Sequence, residues 1–345
     1  IARRYFERFM SFTVGFDLSS ASGLELGFDE RKASEELANL LKTEHYEAVL
    51  HAGDMEAVLP DLIWHIEEPR VGQSYPDYYA SRLASKFVKV VLSGTGGDEL
   101  FGGYPWRYYR AMNAADKEDY YRRYYNFWQR LISDEEKPHF FRPHIYKKVK
   151  DVSTFEIFKS VFRQDTNPLS NEDYINESMY FEAKTFLHGL FVVTNKISMA
   201  HSLETRVPFM ANQLVDFAMR IPPRLKLRSI NRLSGKVDEN ELSQKWKYFA
   251  KTKDGKTILR RAMRGILPPE VLFRSKQGFS APDASWFRGE SIEYIKDVLL
   301  NSRCASYIYE YLDYDFVKKR IEAHINGKVN YRLFIWSCLS FEWWL

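Results

Sequence analysis

The stretch Ser93-Gly94-Thr95-Gly96-Gly97-Asp98-Glu99-Leu100-Phe101-Gly102-Gly103-Tyr104 follows directly on the apolar run Val88-Lys89-Val90-Val91-Leu92. The run is short and rich in β-branched residues, which predicts a buried parallel strand. Glycines let backbone N–H groups approach an anion, and two acidic residues suit the positive start of a helix. A strand that turns into a helix in this way is a common ligand site, although a tight glycine-rich turn without a ligand has the same composition.

The segments before this stretch alternate between strand and helix patterns. Residues 1–9 resemble the end of a helix. After them the pattern predicts strands and helices in the order strand 11–16, helix 29–41, strand 44–51, helix 55–66 and helix 75–84. Because parallel strands are joined by right-handed crossovers, this order predicts a parallel sheet with helices on both sides.

The composition is typical of a globular chain with one large domain or two ordinary ones. Its 345 residues are 45% apolar and 28% charged, with a net charge of +4. A charge so small gives little reason to expect binding to nucleic acid or to anionic membranes. The two cysteines, Cys304 and Cys338, cannot form a disulfide framework, which favours a reducing compartment. Because no apolar run approaches the roughly 18 residues of a membrane span, we expect a cytoplasmic protein.

Beyond residue 105 the pattern becomes mostly helical. A stretch at 106–128 interleaves Arg and Tyr, which could suit single-stranded nucleic acid, but packing is the commoner use of such aromatic residues. The predicted fold class is therefore α/β, a parallel sheet flanked by helices with a large helical C-terminal region. We divide the chain into an α/β part at residues 1–110 and a helical part at residues 111–345.

The quoted glycine-rich stretch closely resembles the second nucleotide motif of the glutamine-hydrolysing asparagine synthetases, in their ATP-using C-terminal half. Further matches to that family are spread over nearly the whole chain. They are residues 11–16, Glu67-Glu68-Pro69, Ser198-Met199-Ala200-His201-Ser202-Leu203-Glu204-Thr205-Arg206-Val207-Pro208-Phe209, Phe273-Arg274-Ser275-Lys276-Gln277-Gly278-Phe279 and the terminal region 336–343. The resemblance implies a fold like that of the PP-loop adenine-nucleotide α-hydrolases.

The resemblance also implies a reaction in two steps. The side-chain carboxylate of aspartate attacks the α-phosphorus of ATP, and ammonia then displaces AMP from the acyl-adenylate. The implied cofactors are ATP and Mg²⁺, and the implied partners are aspartate and ammonia from a glutaminase domain. The resemblance leaves open whether the protein forms a homodimer.

The resemblance assigns roles to particular residues of this sequence. It implies that Asp98 holds Mg²⁺ and that Lys276 faces the phosphates, with Thr95 as a third catalytic position. It further assigns nucleotide binding to Val14, Gly15, Ser93, Gly94 and Gly96, and makes Glu99, Tyr104 and Arg206 candidates for the substrate pocket.

The sequence departs from the family pattern in two ways. The family's first phosphate loop, Ser-Gly-Gly-x-Asp-Ser, and its glutaminase domain are absent from these residues; the loop is expected immediately upstream of residue 1. Thr95 stands where many members carry Glu or Asp, and a threonine cannot act as a general base at neutral pH. Two alternatives to asparagine synthesis therefore stay open: a related amidotransferase or cyclase that adenylates a different carboxylate, and a non-catalytic scaffold that retains the fold.

A second glycine-containing segment imitates a phosphate loop. Ala250-Lys251-Thr252-Lys253-Asp254-Gly255-Lys256-Thr257 has the spacing of a Walker A motif, but alanine replaces its first glycine and no apolar strand precedes it. We therefore predict that this segment is not a phosphate-binding loop of that kind.

Overall fold

The computed structural model of the protein describes residues 2–163, 170–228, 230, 254–274, 280–301 and 306–345. Its strands form two parallel pairs. β1 (Met10–Phe16) pairs with β2 (Glu44–Leu50), with Met10 opposite Glu44. β3 (Val90–Leu92) pairs with β4 (Glu204–Arg206). The first pair thus follows the order of the chain, whereas the second joins segments that are far apart in the sequence.

Helices make up most of the rest of the described chain. Short 3-10 turns occur at Ala2–Arg4, Gly23–Gly27, Tyr109–Ala111, Asp134–Glu136, Pro208–Met210 and Tyr307–Glu310. The α-helices are α1 (Arg31–Leu41), α2 (Ala52–Ile66), α3 (Tyr75–Ser85), α4 (Gly97–Phe101), α5 (Pro105–Tyr108), α6 (Lys117–Trp128), α7 (Lys137–Phe140), α8 (Pro143–Val149), α9 (Thr154–Ser160), α10 (Asn171–Lys184), α11 (Phe186–Ala200), α12 (Asn212–Arg220), α13 (Pro223–Lys226), α14 (Thr257–Ala262), α15 (Pro269–Leu272), α16 (Asp283–Trp286), α17 (Ile292–Leu299), α18 (Tyr314–Ile325) and α19 (Arg332–Trp344). Within the ranges described, none of them combines the length and apolar character that crossing a bilayer requires.

The sheet differs from the predicted one. Among the described residues β3 pairs with β4 and not with β1, and its side chains Val90 and Leu92 are 41% and 55% exposed. The prediction of a buried strand was therefore wrong, because an apolar run reports composition and not the number of neighbouring strands. The predicted helix end at residues 1–9 was also wrong for residues 2–9, the described part of that segment, where Ala2–Arg4 form a 3-10 turn and no α-helix occurs.

One large core joins the strands to the C-terminal helices. Val14 and Phe16 of β1 are buried together with Leu59 of α2 and with Ile335 and Leu339 of α19. The α/β part and the C-terminal helices therefore share buried apolar surface, which is the main source of stability in such a domain. The division of the chain at residue 110 stays a prediction.

The tyrosine-rich stretch is an internal helix. Tyr120 and Tyr124 of α6 are fully buried and pack in one cluster with Phe158 and Phe181. Their rings lie beside each other at a centroid distance of 6.0 Å. The interpretation of this stretch as packing is thereby confirmed for these two rings, which have no exposed face on which a base could stack.

A buried histidine in this core predicts loss of stability in acid. His324 of α18 is fully buried, and its Nδ1 accepts a hydrogen bond from the Tyr331 backbone N–H at 2.9 Å. Burial, with a smaller contribution from Arg288, lowers the pKa of His324 from 6.5 to about 4. As the pH falls, the unfolded state binds a proton at this imidazole before the folded state does. The stability that the neutral His324 contributes is therefore complete above pH 6.5 and is lost as the pH falls towards 4.

We expect the free energy of unfolding to fall by about 3 kcal/mol over this pH range through His324 alone. Urea denaturation at pH 7.5 and at pH 4.5 measures the free energy of unfolding, and His324→Asn should change the difference between the two values by about this amount. The same substitution at the exposed His139 is the control. An equal pH dependence in wild type and His324→Asn would show that this histidine does not carry the effect.

Candidate functional site

The glycine-rich loop begins where β3 ends. The Ser93 backbone N–H donates to the Arg206 carbonyl at 2.8 Å, which extends the β3–β4 pairing by one hydrogen bond. The Ser93 and Thr95 hydroxyls lie 2.8 Å apart, and the Thr95 N–H donates to Ser93 Oγ at 3.3 Å. Gly96 then takes a left-handed conformation, with φ of 96°, as the N-cap of α4. The chain thus turns from strand to helix as the sequence predicts.

Asp98 lies in the first turn of α4, folded back against the end of the same loop. The Gly103 backbone N–H donates to the Asp98 carbonyl at 2.6 Å. A Cβ on Gly103 would lie 1.8 Å from Asp98 Oδ1 and 2.6 Å from its Cβ and Cγ. Glycine is therefore needed at position 103 so that the carboxylate can occupy this place.

This contact predicts that Gly103→Ala destabilises the protein. The new methyl group must displace both the side chain and the loop, so we expect the free energy of unfolding to fall by about 1–3 kcal/mol. Gly27→Ala is the matched control, because a Cβ at that exposed glycine meets nothing within 4 Å. Urea denaturation of the two variants measures the difference, and equal values for both would contradict this account of the loop.

Lys256 brings a cation to this carboxylate. Its Nζ lies 2.8 Å from Asp98 Oδ1, and the two side chains are 28% and 20% exposed. The Lys256 backbone N–H donates to the Phe101 carbonyl at 3.0 Å. Gly255 packs so closely on the loop that a Cβ there would lie 2.5 Å from the Gly102 carbonyl oxygen. The segment 254–257 is therefore part of the site.

Sequence reasoning missed Lys256. It occupies the lysine position of the Walker-like segment, which we had set aside. The Gly-Lys pair was the available signal, and Lys256 directly precedes α14 just as a Walker A lysine precedes its helix. The segment was dismissed because alanine replaces the first glycine and no apolar run comes before it in the sequence. The prediction that this segment is not a Walker A loop stays untested, and what the structure adds is the ion pair of Lys256 with Asp98.

A buried carboxylate fixes the segment that carries Lys256. Asp254 is 3% exposed and accepts hydrogen bonds from the Tyr109 hydroxyl at 2.7 Å, from the Gly255 N–H at 2.8 Å and from the Arg228 N–H at 2.5 Å. Nearby, Lys226 is 1% exposed and packs beside Gly102. Burial lowers the pKa of Lys226 from 10.5 to about 8. Lys226, which belongs to none of the motifs found in the sequence, is thus a second lysine beside the glycine-rich loop.

A cavity of about 340 Å³ opens beside the ion pair. Three cationic side chains line it, those of Lys256, Arg260 and Arg274, together with the Asp254 carboxylate. Burial lowers the pKa of Arg260, and the Asp98 charge opposes this shift. The rest of the lining is mainly apolar, formed by Phe209, Leu259, Met263, Leu267, Val271 and Leu272. This size is at the lower end for ligand pockets, and the excess of positive charge in the lining favours an anion.

Glu99 and Tyr104, both substrate-pocket candidates, contact each other. The Tyr104 hydroxyl donates to Glu99 Oε1 at 3.1 Å, and Glu99 is 3% exposed. Burial, with Asp98 and Glu99 adding to it, raises the pKa of Tyr104 well above 10. The phenol therefore stays a donor to the carboxylate.

The remaining predicted residues differ in their surroundings. Val14 is 5% exposed, and Gly15 lies under Arg31, whose Cδ would be 2.4 Å from a Cβ at that glycine. Arg206, the third substrate-pocket candidate, forms an exposed ion pair with Glu204 at 2.8 Å. Lys276 lies outside the described residues.

The donor set around Asp98 fits a magnesium–phosphate complex better than a metal site built by protein alone. No group of three His, Cys, Asp or Glu side chains able to hold a metal occurs among the residues that the structure describes. Mg²⁺ is commonly held by one or two carboxylates together with substrate phosphates. Asp98 would supply such an oxygen to the metal, and Lys256 and Arg260 would supply positive charge for the phosphates.

Comparison with known proteins gives one consistent family. The sequence model described as asparagine synthase matches residues 1–345. Asparagine synthetase [glutamine-hydrolyzing] 1 of Bacillus subtilis is 26% identical over 372 aligned residues, which cover 100% of this chain and 53% of that protein. The asparagine synthetases [glutamine-hydrolyzing] of Triphysaria versicolor and Brassica oleracea are 27% and 25% identical, over 84% and 89% of this chain and 36% and 39% of theirs. The chain thus spans about half the length of the Bacillus subtilis relative.

Proposed function

Since this chain belongs to the asparagine synthase family, we propose that it is the synthetase part of an ATP-dependent ligase that converts aspartate to asparagine. The observation that carries the proposal is the ion pair of Asp98 and Lys256 at the start of α4. It places an oxygen ligand and a cation together at the end of a parallel strand, where an α/β protein binds a nucleotide.

The proposed reaction has two group transfers. In the first, an oxygen of the aspartate side-chain carboxylate forms a bond to the α-phosphorus of ATP, and the bond to the bridging oxygen breaks to release pyrophosphate. In the second, the nitrogen of ammonia attacks the acyl carbon of the adenylate, AMP leaves with the bridging oxygen, and the nitrogen loses a proton. The nucleotide provides the leaving group that a free carboxylate lacks.

The residues of the site have separate tasks in this scheme. Asp98 would hold Mg²⁺, which when bound neutralises charge on the phosphates. Lys256 and Arg260 offer cations to the departing pyrophosphate, with Lys276 as a further one by resemblance. The backbone of Ser93 and Gly94 contacts the nucleotide. The ammonia comes from a glutaminase domain outside these residues.

We also propose that the two small sheets belong to one larger sheet of the PP-loop kind. Phe87, which leads into β3, lies 5.9 Å from Phe12 of β1 and 4.0 Å from Tyr46 of β2 between ring centroids, so the sheets are close. Among the described residues, β1 and β3 each have a strand on one edge only. A parallel strand leading into the Ser-Gly-Gly-x-Asp-Ser loop would fit between them and pair with both free edges.

Thr95 favours a second candidate, a ligase acting on another carboxylic acid. A threonine supplies no carboxylate at this position, and its hydroxyl lies 2.8 Å from the Ser93 hydroxyl. The test is exchange of labelled pyrophosphate into ATP by the intact natural protein, with a panel of acids. Exchange that depends on aspartate supports asparagine synthesis, and exchange with another acid alone supports the second candidate. Nucleotide binding without exchange for any acid supports a non-catalytic scaffold.

Gly94 offers a test of nucleotide contact that does not disturb the fold. A Cβ at this glycine meets nothing within 4 Å. We therefore expect Gly94→Ala to melt within about 1 °C of wild type, while the methyl group lowers the affinity for magnesium-ATP by about tenfold. Calorimetric titration measures this affinity. Unchanged affinity would place the nucleotide away from Gly94, and Gly53→Ala, also free of contacts, is the control.

A further inference from the structure

A buried ion pair lies behind the glycine-rich loop, in the helical part of the chain. Arg107 of α5 donates through Nη1 to Glu182 Oε2 of α10 at 3.2 Å. Arg107 is 5% exposed and Glu182 is fully buried. Glu182 Oε1 accepts a second hydrogen bond, from the Tyr124 hydroxyl at 2.7 Å. Since both charges lose their hydration, such a pair contributes little stability beyond that of apolar side chains of similar size. Stability alone does not account for it.

Arg107 is held in a cage of aromatic rings. Its guanidinium carbon lies 4.0 Å from the centre of the Tyr104 ring, 4.5 Å from that of Phe186 and 5.6 Å from that of Trp128. A planar guanidinium stacks on such rings in a way that an ammonium cannot. Because Glu182 fixes the guanidinium from one side, Arg107 in turn fixes the position of the Tyr104 ring.

The same ring reaches the site through its hydroxyl, which donates to Glu99 Oε1 at 3.1 Å. Glu99 is the neighbour of Asp98 on α4, a helix of only 5 residues. A helix this short has little stability of its own, so its orientation depends on its tertiary contacts. The contact between Glu99 and Tyr104 is therefore one of those that set where the Asp98 carboxylate points.

We propose that Arg107 and Glu182 are positioning residues of the synthetase site, which act through Tyr104 and Glu99 to orient α4 so that Asp98 faces Lys256. Their effect on the reaction rests on the proposed function, whereas their effect on α4 is a property of the free protein. The two effects can therefore be measured separately.

The test removes both charges at once, so that no unpaired charge is left buried. Arg107→Met with Glu182→Leu keeps the volume nearly constant, and replacements of this kind are often neutral for stability. The chain offers a matched control far from the loop in sequence. Arg320 pairs with Glu136 and lies 4.7, 4.9 and 5.0 Å from three aromatic ring centres. Arg320→Met with Glu136→Gln is the control variant.

The first readout is amide hydrogen exchange of residues 97–103 in the protein without ligand. We expect about tenfold faster exchange in the Arg107 double variant and unchanged exchange in the control. The second is steady-state pyrophosphate exchange, where KM for magnesium-ATP should rise about tenfold while KM for the acid stays within about twofold. Arg107→Lys keeps the charge but not the planar stacking, so its KM for magnesium-ATP should lie between those of wild type and the double variant.

Equal amide exchange in residues 97–103 for wild type and both double variants overturns the proposal. A rise in KM for magnesium-ATP that is as large in the control variant as in the Arg107 double variant also overturns it. If wild type catalyses no pyrophosphate exchange with any acid, the proposed function fails instead. The amide exchange of α4 then still decides whether Arg107 and Glu182 position it.

Discussion

Asp98→Asn is expected to lower the rate of ATP–pyrophosphate exchange by about 10³-fold. The substitution keeps the shape of the side chain but removes the negative charge that a hard cation requires. It also leaves Lys256 without the carboxylate that lies 2.8 Å from its Nζ. Because the transition state gathers negative charge on the phosphates, the loss should fall mainly on the rate at saturating acid. The measurement is exchange of labelled pyrophosphate as a function of magnesium concentration.

The control for Asp98→Asn is Asp61→Asn, a change of the same kind at an exposed position on α2. It should leave exchange within about twofold of wild type, since surface substitutions of this kind have small effects. Asp98→Glu should retain part of the activity at high magnesium, because it keeps the charge but moves it. Exchange by Asp98→Asn at more than a tenth of the wild-type rate would show that Asp98 is not the metal ligand.

Lys256→Met should lower the same exchange rate by about 10²-fold. Methionine keeps most of the side-chain volume and removes the cation that borders the cavity. We expect KM for magnesium-ATP to rise as well, since an ammonium at this place attracts phosphate before and during the reaction. Initial rates at several concentrations of magnesium-ATP separate the two effects.

Lys148→Met at an exposed position of α8 is the matched control for Lys256→Met. Lys256→Arg should recover part of the rate, since it restores the charge in a different shape. A Lys256→Met protein that exchanges pyrophosphate within threefold of wild type would show that this lysine does not act on the phosphates.

Local patterns were enough to predict much of the fold. The strands and α-helices between residues 10 and 85 follow from the spacing of apolar residues, and the turn into α4 follows from Gly96 and the acidic residues after it. The family resemblance is confirmed, since the asparagine synthase model matches the whole chain. These features depend on residues close together in the sequence, which a periodic pattern can report.

Contacts between distant parts of the chain could not be read in this way. The pairing of β3 with β4 left Val90 and Leu92 exposed, which no local pattern indicated. Lys256 reaches Asp98 only because Gly255 packs against Gly102, a contact set by the tertiary fold. The site therefore contains one cation that the motif comparison dismissed.

Buried charges were the second kind of feature that sequence reasoning missed. Arg107 and Glu182 look like surface residues in any composition-based prediction, because charged side chains are rarely buried. Only the aromatic rings around Arg107 and the position of Glu182 on α10 reveal that they face each other. Arg206 shows the opposite case, since a residue inside a family motif proved to be exposed.

A structure of the intact natural protein with magnesium and a non-hydrolysable ATP analogue tests the central claim most directly. The account predicts that an Asp98 oxygen lies about 2.0–2.1 Å from the metal. It also predicts that Lys256 Nζ leaves Asp98 for a phosphate oxygen at hydrogen-bonding distance. A nucleotide bound elsewhere, with Lys256 still paired to Asp98 at 2.8 Å, would contradict it.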